Sequence, residues 1–433
     1  MTRVILSAFL STNHPGSWRH PAGDAGRHSL ALYRRLVETA ERGRMDLFFV
    51  ADKLCVFDDP VLVAHSNFIR MEPLSLLSAL ASVSEHIGLA GTLSTTYNEP
   101  WHAARRFATL DHLSQGRAAW NVVTSTNDEE ARNFGRDKHV AHADRYERAR
   151  EFLTVAEGLW EGWGPGGIAI NKDSGVFADL SQQRVLDHHG PHFDVRGPMN
   201  IDRPPQGRPV LVFAGSSPAC QALAAEHGDA VFVSPESQAE AQRLYAEFKA
   251  RLPSFGRDAD ELKVLPHTLV FVAETEEAAR REEALLLDLV PEPLALQSLS
   301  RALGHDLRAA APDEPLPADV PAVLESGLLT RLDLQAGSRP TVRTLWKAWI
   351  GRTSSAWKVI GTPEQVADEL IRRVEQKAAD GFNLSFPQLP GGLERFVDLV
   401  VPILQRRGAV PRDYAAGNLR ERLGLRQFPA TPR

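Results

Sequence analysis

The stretch Ile87-Gly88-Leu89-Ala90-Gly91-Thr92-Leu93, the helical register of Trp101 to Leu113, the stop at Gly116 and the second apolar run Arg117-Ala118-Ala119-Trp120-Asn121-Val122-Val123-Thr124 together decide the fold. Two short apolar runs separated by an amphipathic helix are what two neighbouring parallel strands and their crossover leave in a sequence. Working outward, the same unit recurs. Upstream, Val4 to Phe9 reads as the first strand. It leads into a helix with Leu30, Tyr33, Leu36, Val37 and Ala40 on one face and Gly43 at its end. Leu47 to Val50 is the second strand, and Pro73 opens a helix with Leu76, Leu77, Leu80 and Val83 on its apolar face. Downstream, a long helix covers Ala143 to Trp160. Val210 to Phe213, Ala230 to Val233, Val264 to Val272 and Asn383 to Phe386 supply strands five to eight, and a helix from Leu393 to Leu404 closes the ring. Eight such pairs predict an α/β fold, a (β/α)8 TIM barrel forming one domain over residues 1–433.

Two segments break the rhythm: 162–206, rich in Gly, Pro and His, and about 275–358, with helical patches. Structureless loops of that length are rare unless functional. Both are expected as elaborations of the C-terminal face of the barrel, where active sites sit, with 275–358 the candidate lid.

Composition narrows the function. The chain of 433 residues is 43% hydrophobic and 24% charged, a globular profile. A net charge of −6 with interspersed signs offers no basic stripe for a phosphate backbone, so no nucleic-acid partner is expected. The apolar N-terminal run is too short to span a membrane, so no membrane partner is expected either. Two cysteines, Cys55 and Cys220, cannot build a disulfide framework or a four-thiolate metal site, which fits a reducing cytoplasm.

The motifs carry open alternatives. Gly162-Trp163-Gly164-Pro165-Gly166-Gly167 matches a dinucleotide pattern on paper, but it follows a helix, opens none and contains Pro, so it reads as a loop. No P-loop, GxSxG elbow or HExxH pair is present. His188, His189 and His192 form a cluster whose sharp reading is a metal and whose plain reading is a polar loop; no matching Cys or carboxylate spacing accompanies it, so no metal is assigned. Phe213-Ala214-Gly215-Ser216-Ser217-Pro218-Ala219 reads equally as a phosphate cradle at a helix N-terminus and as an ordinary Ser-Pro helix cap. His142 and Tyr146, four apart, share a helix face and could reach one ligand, or be an ordinary near-cap residue and a packing aromatic. Asp52, Ser94, Asn121 and Thr124 are polar and lie at or near the C-terminal ends of strands, where a barrel puts chemistry.

These residues also carry a resemblance. Trp120-Asn121-Val122-Val123-Thr124-Ser125, Asn133-Phe134-Gly135, His142 to Tyr146 and Glu151-Phe152 resemble the bacterial-luciferase-like flavin monooxygenases, in the branch of the nitrilotriacetate, dibenzothiophene-sulfone and alkane monooxygenases. Trp18-Arg19-His20-Pro21, Ala51-Asp52, Ser94-Thr95-Thr96-Tyr97, His192 to Pro198, Ala214 to Ser217, Gly361 to Val366 and Leu419-Arg420-Glu421 are similar to that branch in the same order over nearly the whole chain. Two positions depart: Cys220 where relatives often have Gly, and Asn418 where Thr is usual.

The resemblance implies a two-component enzyme that accepts FMNH2 from a separate NAD(P)H-dependent flavin reductase. With O2 it would form a flavin C4a-hydroperoxide and oxygenate a small molecule by C–N, C–S or C–H oxidation. It implies that Asp52, Ser94, His142, Tyr146 and Ser217 contact FMN, that Gly215 and Ser216 add backbone to the phosphate, and that Asn121 lies near the isoalloxazine. Trp18, His20 and Trp346 are candidate substrate contacts; no general acid or base is assigned. A cytoplasmic homodimer or homotetramer is expected. The competing expectations are a deazaflavin (F420)-dependent oxidoreductase on the same barrel, a noncatalytic flavin-binding barrel, and a barrel hydrolase with metal on the His188 to His192 loop.

Overall fold

The computed structural model describes residues 2–10, 14–24, 28–317, 320, 339–353 and 357–428. Eight strands, β1 (Ile5–Phe9), β2 (Leu47–Val50), β3 (Gly88–Ser94), β4 (Ala118–Val123), β5 (Val210–Ala214), β6 (Ala230–Val233), β7 (Lys263–Val272) and β8 (Gly381–Ser385), form one parallel sheet. Each pairs with the next in chain order, and β8 returns to β1 with Ile5 beside Gly381, so the eight close into a barrel; a short ninth strand, Val359–Gly361, pairs with the end of β7 outside the ring. Gly381 is required by that closure, because a Cβ there would stand 2.1 Å from the Ile5 carbonyl oxygen.

The crossover helices are α1 (Leu30–Arg42), α2 (Pro73–Ala81), α3 (Pro100–Leu113), α4 (His142–Trp160), α5 (Pro218–His227) and α6 (Gln238–Arg251). Local chemistry fixes their starts: Ser29 caps α1 through the Leu32 amide, and Glu72 caps α2, with Pro73 in its first turn. After β7 come α7 (Glu276–Asp288), α8 (Glu292–Leu303), α9 (Val342–Thr353) and α10 (Pro363–Glu375), and after β8 α11 (Gly391–Leu399). The single helix expected over Leu393 to Leu404 is divided into Gly391–Leu399 and Val401–Arg406. Pro402 explains the division, since it cannot donate to the carbonyl of residue 398 and its ring crowds that turn.

Alternation along β4 shows how the barrel sorts side chains. Trp120 points outward into the helix layer, stacked on Phe107 at 5.1 Å, with its Nε1 bound to the Leu93 carbonyl. Asn121 points the other way and donates to Thr92 Oγ1 at 2.9 Å. At the N-terminal end, Ile5, Leu47, Ala90, Ala119, Val210 and Leu265 pack with Leu419, Leu423 and Leu425 of the C-terminal segment, which plugs the barrel. Arg420, 1% exposed, holds the plug by pairing with buried Asp229, its Nη1 donating to Asp229 Oδ1 at 2.9 Å.

The two interruptions differ in place. Residues 162–206 lead from the end of α4 into the start of β5, so they leave from the N-terminal end of the barrel. The expectation that this segment elaborates the C-terminal face is corrected by topology: an αβ connection lies opposite the βα loops. It forms two short ribbons, Ile168–Asn171 with Val176–Ala178 and His188–His189 with Asp194–Val195. The second interruption begins beyond the C-terminal end of β7, and its helices share a small core of Val290, Leu296, Leu299, Leu345, Trp346 and Ile350. Residues 318–319, 321–338 and 354–356 of the candidate lid lie outside the described residues.

Candidate active site at the C-terminal face

One cleft at the strand ends takes Asp52, Ser94, Thr124 and Tyr146 of the sequence-predicted residues into its walls, while Asn121, His142, Gly215, Ser216 and Ser217 lie next to wall residues without lining it. Its volume is about 910 Å³, and Ala214 and Cys220 are also among its walls. Asp52 follows β2, half-buried, with one oxygen accepting from the Lys53 amide at 2.8 Å. Burial pushes its carboxyl above the usual range. Ser94 ends β3 and is buried; its hydroxyl accepts from Ser125 Oγ at 3.0 Å, tying the β3 and β4 loops together. Asn121 bonds to Thr92, itself a wall of the cleft, and its Oδ1 is buried with no hydrogen-bond partner.

His142 and Tyr146 stand one turn apart at the start of α4, with ring centroids 4.8 Å apart. His142 is exposed and Tyr146 half-buried. Burial raises the Tyr146 phenol above its usual range, so it is protonated at neutral pH. Across the cleft, β5 ends at Ala214 and the chain turns at Gly215, whose φ of +132° favours glycine. The Gly215 amide is taken by the Phe232 carbonyl at 3.0 Å. The Ser216 and Ser217 amides have no partner among the described residues, and Ser216 is exposed. Ser217 caps α5, its hydroxyl accepting from the Cys220 amide at 3.3 Å.

Three residues of this cleft escaped sequence reasoning. Thr92 lies two positions before Ser94 on the same face of β3, and the period of a strand was the signal that could have found it. Glu130 accepts from the amides of Leu54, Thr126 and Asn127 and so joins the β2 and β4 loops; no local pattern marks that role. Cys220, read as a departure, is buried against Tyr146, and burial pushes its thiol up to about 11.

The candidate substrate contacts separate. Trp18 is 37% exposed, donates to the His65 carbonyl at 3.1 Å and lines a second cavity of about 770 Å³. His20 is buried with its Nε2 3.1 Å from Glu282 Oε1, which brings the β1 loop against α7. Trp346 is a correction: it is 2% exposed and packed inside the core of the insertion, on the apolar face that α9 turns to α8, and it lines neither cavity. The histidine loop is tied down by separate carboxylates, His188 to Glu151 at 3.0 Å and His189 to Asp194 at 2.8 Å. Among the described residues no cluster of three or more His, Cys, Asp or Glu is arranged to hold a metal.

With that geometry in hand, the comparisons agree with one another. The family model described as luciferase-like monooxygenase matches residues 7–380. The chain is 42% identical over 431 residues to N-acetyl-S-(2-succino)cysteine monooxygenase of Bacillus subtilis (strain 168), covering 98% of this chain and 97% of that protein. It is 42% identical over 432 residues to nitrilotriacetate monooxygenase component A of Aminobacter aminovorans, covering 96% and 94%. The crystal structure of DmoA from Hyphomicrobium sulfonivorans superposes with a TM-score of 0.86 at 32% identity, covering 98% of this chain and 92% of that one.

Proposed function

The chain belongs to the luciferase-like monooxygenase family, and from that premise we propose that it is the oxygenase of a two-component system. In this reading it takes reduced FMN from a separate NAD(P)H-dependent flavin reductase and, with O2, inserts one oxygen atom into a small organic molecule. The observation that carries the proposal is a single cleft walled by Ala214 and Cys220, between which the Ser216 and Ser217 amides stand unpaired at a helix N-terminus, with an unpartnered buried acceptor, Asn121 Oδ1, bonded through its amide to the wall residue Thr92.

The residues present fit FMN. The Ser216 and Ser217 amides, at the positive end of α5, and the Ser217 hydroxyl would hold the phosphate, with Gly215 allowing the backbone to turn there. His142 and Tyr146 would flank the chain of the cofactor. Asp52, Ser94 and Asn121 would take the polar edge of the ring, Asn121 Oδ1 gaining a donor it lacks in the protein alone. Bound there, reduced FMN supplies the two electrons that activate dioxygen. The chain's own work is to orient the ring and substrate and to keep water and stray protons away. The α7–α9 insertion, at the C-terminal end of β7, is our candidate for the closing element.

The same reading makes the protein a cytoplasmic homodimer or homotetramer. Among the described residues no helix is long and apolar enough to cross a membrane. The deciding experiment supplies the chain with an unrelated flavin reductase, NADH, FMN and ¹⁸O₂ and offers thioether, sulfone, aminocarboxylate and alkane compounds. One labelled oxygen in one product supports the proposal. Unlabelled product, or turnover with a deazaflavin in place of FMN, contradicts it.

A further inference from the structure

The second cavity abuts the cleft at the end of β2: Ala51 lines the cavity, and the next residue, Asp52, lines the cleft. Much of its wall is apolar, with Leu10, Leu32, Leu36, Val50 and Leu389 contributing. Arg70 stands on it. Its Nη1 donates to the carbonyls of Asn67 and Ile69, and among the described residues no carboxylate lies within ion-pair distance of its guanidinium. The side chain stays open to solvent, so an incoming molecule can reach it. Asp52, at the edge of the adjoining cleft, acts on the guanidinium through its field without an ion pair, so Nε and Nη2 keep their hydrogens for an incoming anion.

A second polar group, His28, stands on the same cavity. His28 Nδ1 and the Tyr33 hydroxyl are 2.6 Å apart, and burial raises the phenol so that it keeps its proton. Burial first, and the Arg70 charge second, lower the His28 pKa and hold the ring neutral. The Nδ1–phenol contact is made in either tautomer, with the phenol donating to Nδ1 and the ring hydrogen on Nε2, or with Nδ1–H donating to the phenol. The His28 Nε2 is buried and has no hydrogen-bond partner. Asp24, the carboxylate among the lining residues, is exposed and makes no ion pair with Arg70.

We propose that this cavity takes the molecule to be oxygenated and selects one with an anionic, carboxylate-sized group on an apolar body. Arg70 holds the anion, and the body lies along the leucines toward β2 and the cleft. Calling the molecule a substrate rests on the monooxygenase reading; the anion selectivity does not.

The probes are (benzylthio)acetate and (benzylthio)acetamide, matched in shape and differing in charge, titrated calorimetrically into the full chain without cofactor. The acid should bind at least about tenfold more tightly than the amide. Arg70→Gln should bring the acid down to the amide's affinity, and Arg70→Lys should retain part of the difference. Equal affinities in the wild type, no detectable binding of the acid at millimolar concentration, or a preference that survives Arg70→Gln would overturn the proposal. Titrating the same proteins with FMN keeps the two readings apart. A wild type that ignores FMN but prefers the acid sinks the monooxygenase reading alone, and one that binds FMN without preferring the acid sinks the anion site alone.

Discussion

The Ser217 hydroxyl accepts a hydrogen bond from the Cys220 amide at 3.3 Å and thereby caps α5, the helix whose Cys220 and Leu223 line the cleft. A hydroxyl has one proton to give as well as lone pairs to accept with, so the same group can cap the helix and donate to a phosphate. The two readings of this serine are compatible. Ser217→Ala should therefore lower stability by roughly 0.5–2 kcal/mol, read from a denaturant midpoint, and weaken FMN by about tenfold. Riboflavin, lacking the phosphate, is the control and should bind both proteins alike. An unchanged FMN dissociation constant would remove Ser217, and with it Gly215 and Ser216, from the site.

Asn121 makes the opposite demand. Its Oδ1 is already unmatched, and its Nδ2 donates to a Thr92 hydroxyl that keeps its own bond to the Val50 carbonyl, so an apolar group of similar size forfeits that one hydrogen bond and strands no partner. Asn121→Leu should shift stability by less than about 1 kcal/mol while weakening reduced FMN by about tenfold. A strong loss of stability with unchanged flavin affinity would show that the residue is structural.

Arg420 lies at the other end of the barrel. Removing one partner of a buried ion pair strands the other charge, so Arg420→Met should lower stability by about 3–5 kcal/mol. FMN affinity, measured below the unfolding transition, should be unchanged.

Acid should weaken the fold through His267. Burial pushes this ring down to about 4, and it bonds to Ser385 Oγ at 2.8 Å. The unfolded chain binds a proton near pH 6.5 while the folded one does so only near pH 4, so stability is full above about 6.5 and falls as pH drops through that window. The loss is at most about 3 kcal/mol. His14, pushed down to about 3 by burial and then by the Lys358 charge, adds with the same sign. His267→Gln should flatten, without abolishing, the dependence of urea midpoint on pH between 4 and 6.5. An unaltered slope would contradict this.

Much of this was legible in the sequence because a barrel repeats one local unit eight times, and each repeat carries its own periodicity. The strand read at Leu47 to Val50 matches the structure residue for residue, as does Ala230 to Val233. The strand-end residues Asp52 and Ser94 could be placed because barrel topology sends strand ends to one face. What stayed hidden depends on contacts distant in sequence. Trp346 could be assigned to a pocket or a core only after α8 and α9 were seen to pack. Arg70 lies in no regular element and follows no pattern, so its place on a cavity wall comes from tertiary structure alone. The 162–206 segment was misplaced because loop length says nothing about which end of the barrel it leaves from.

The central claim, that this cleft binds reduced FMN delivered from elsewhere, is tested most directly by anaerobic equilibrium titration of the purified chain with FMN before and after reduction, beside FAD and NADH. The account predicts tighter binding of reduced than of oxidised FMN, weaker binding of FAD and no appreciable binding of NADH. Equal affinity for FAD and FMN, or tight binding of NADH by this chain itself, would contradict it.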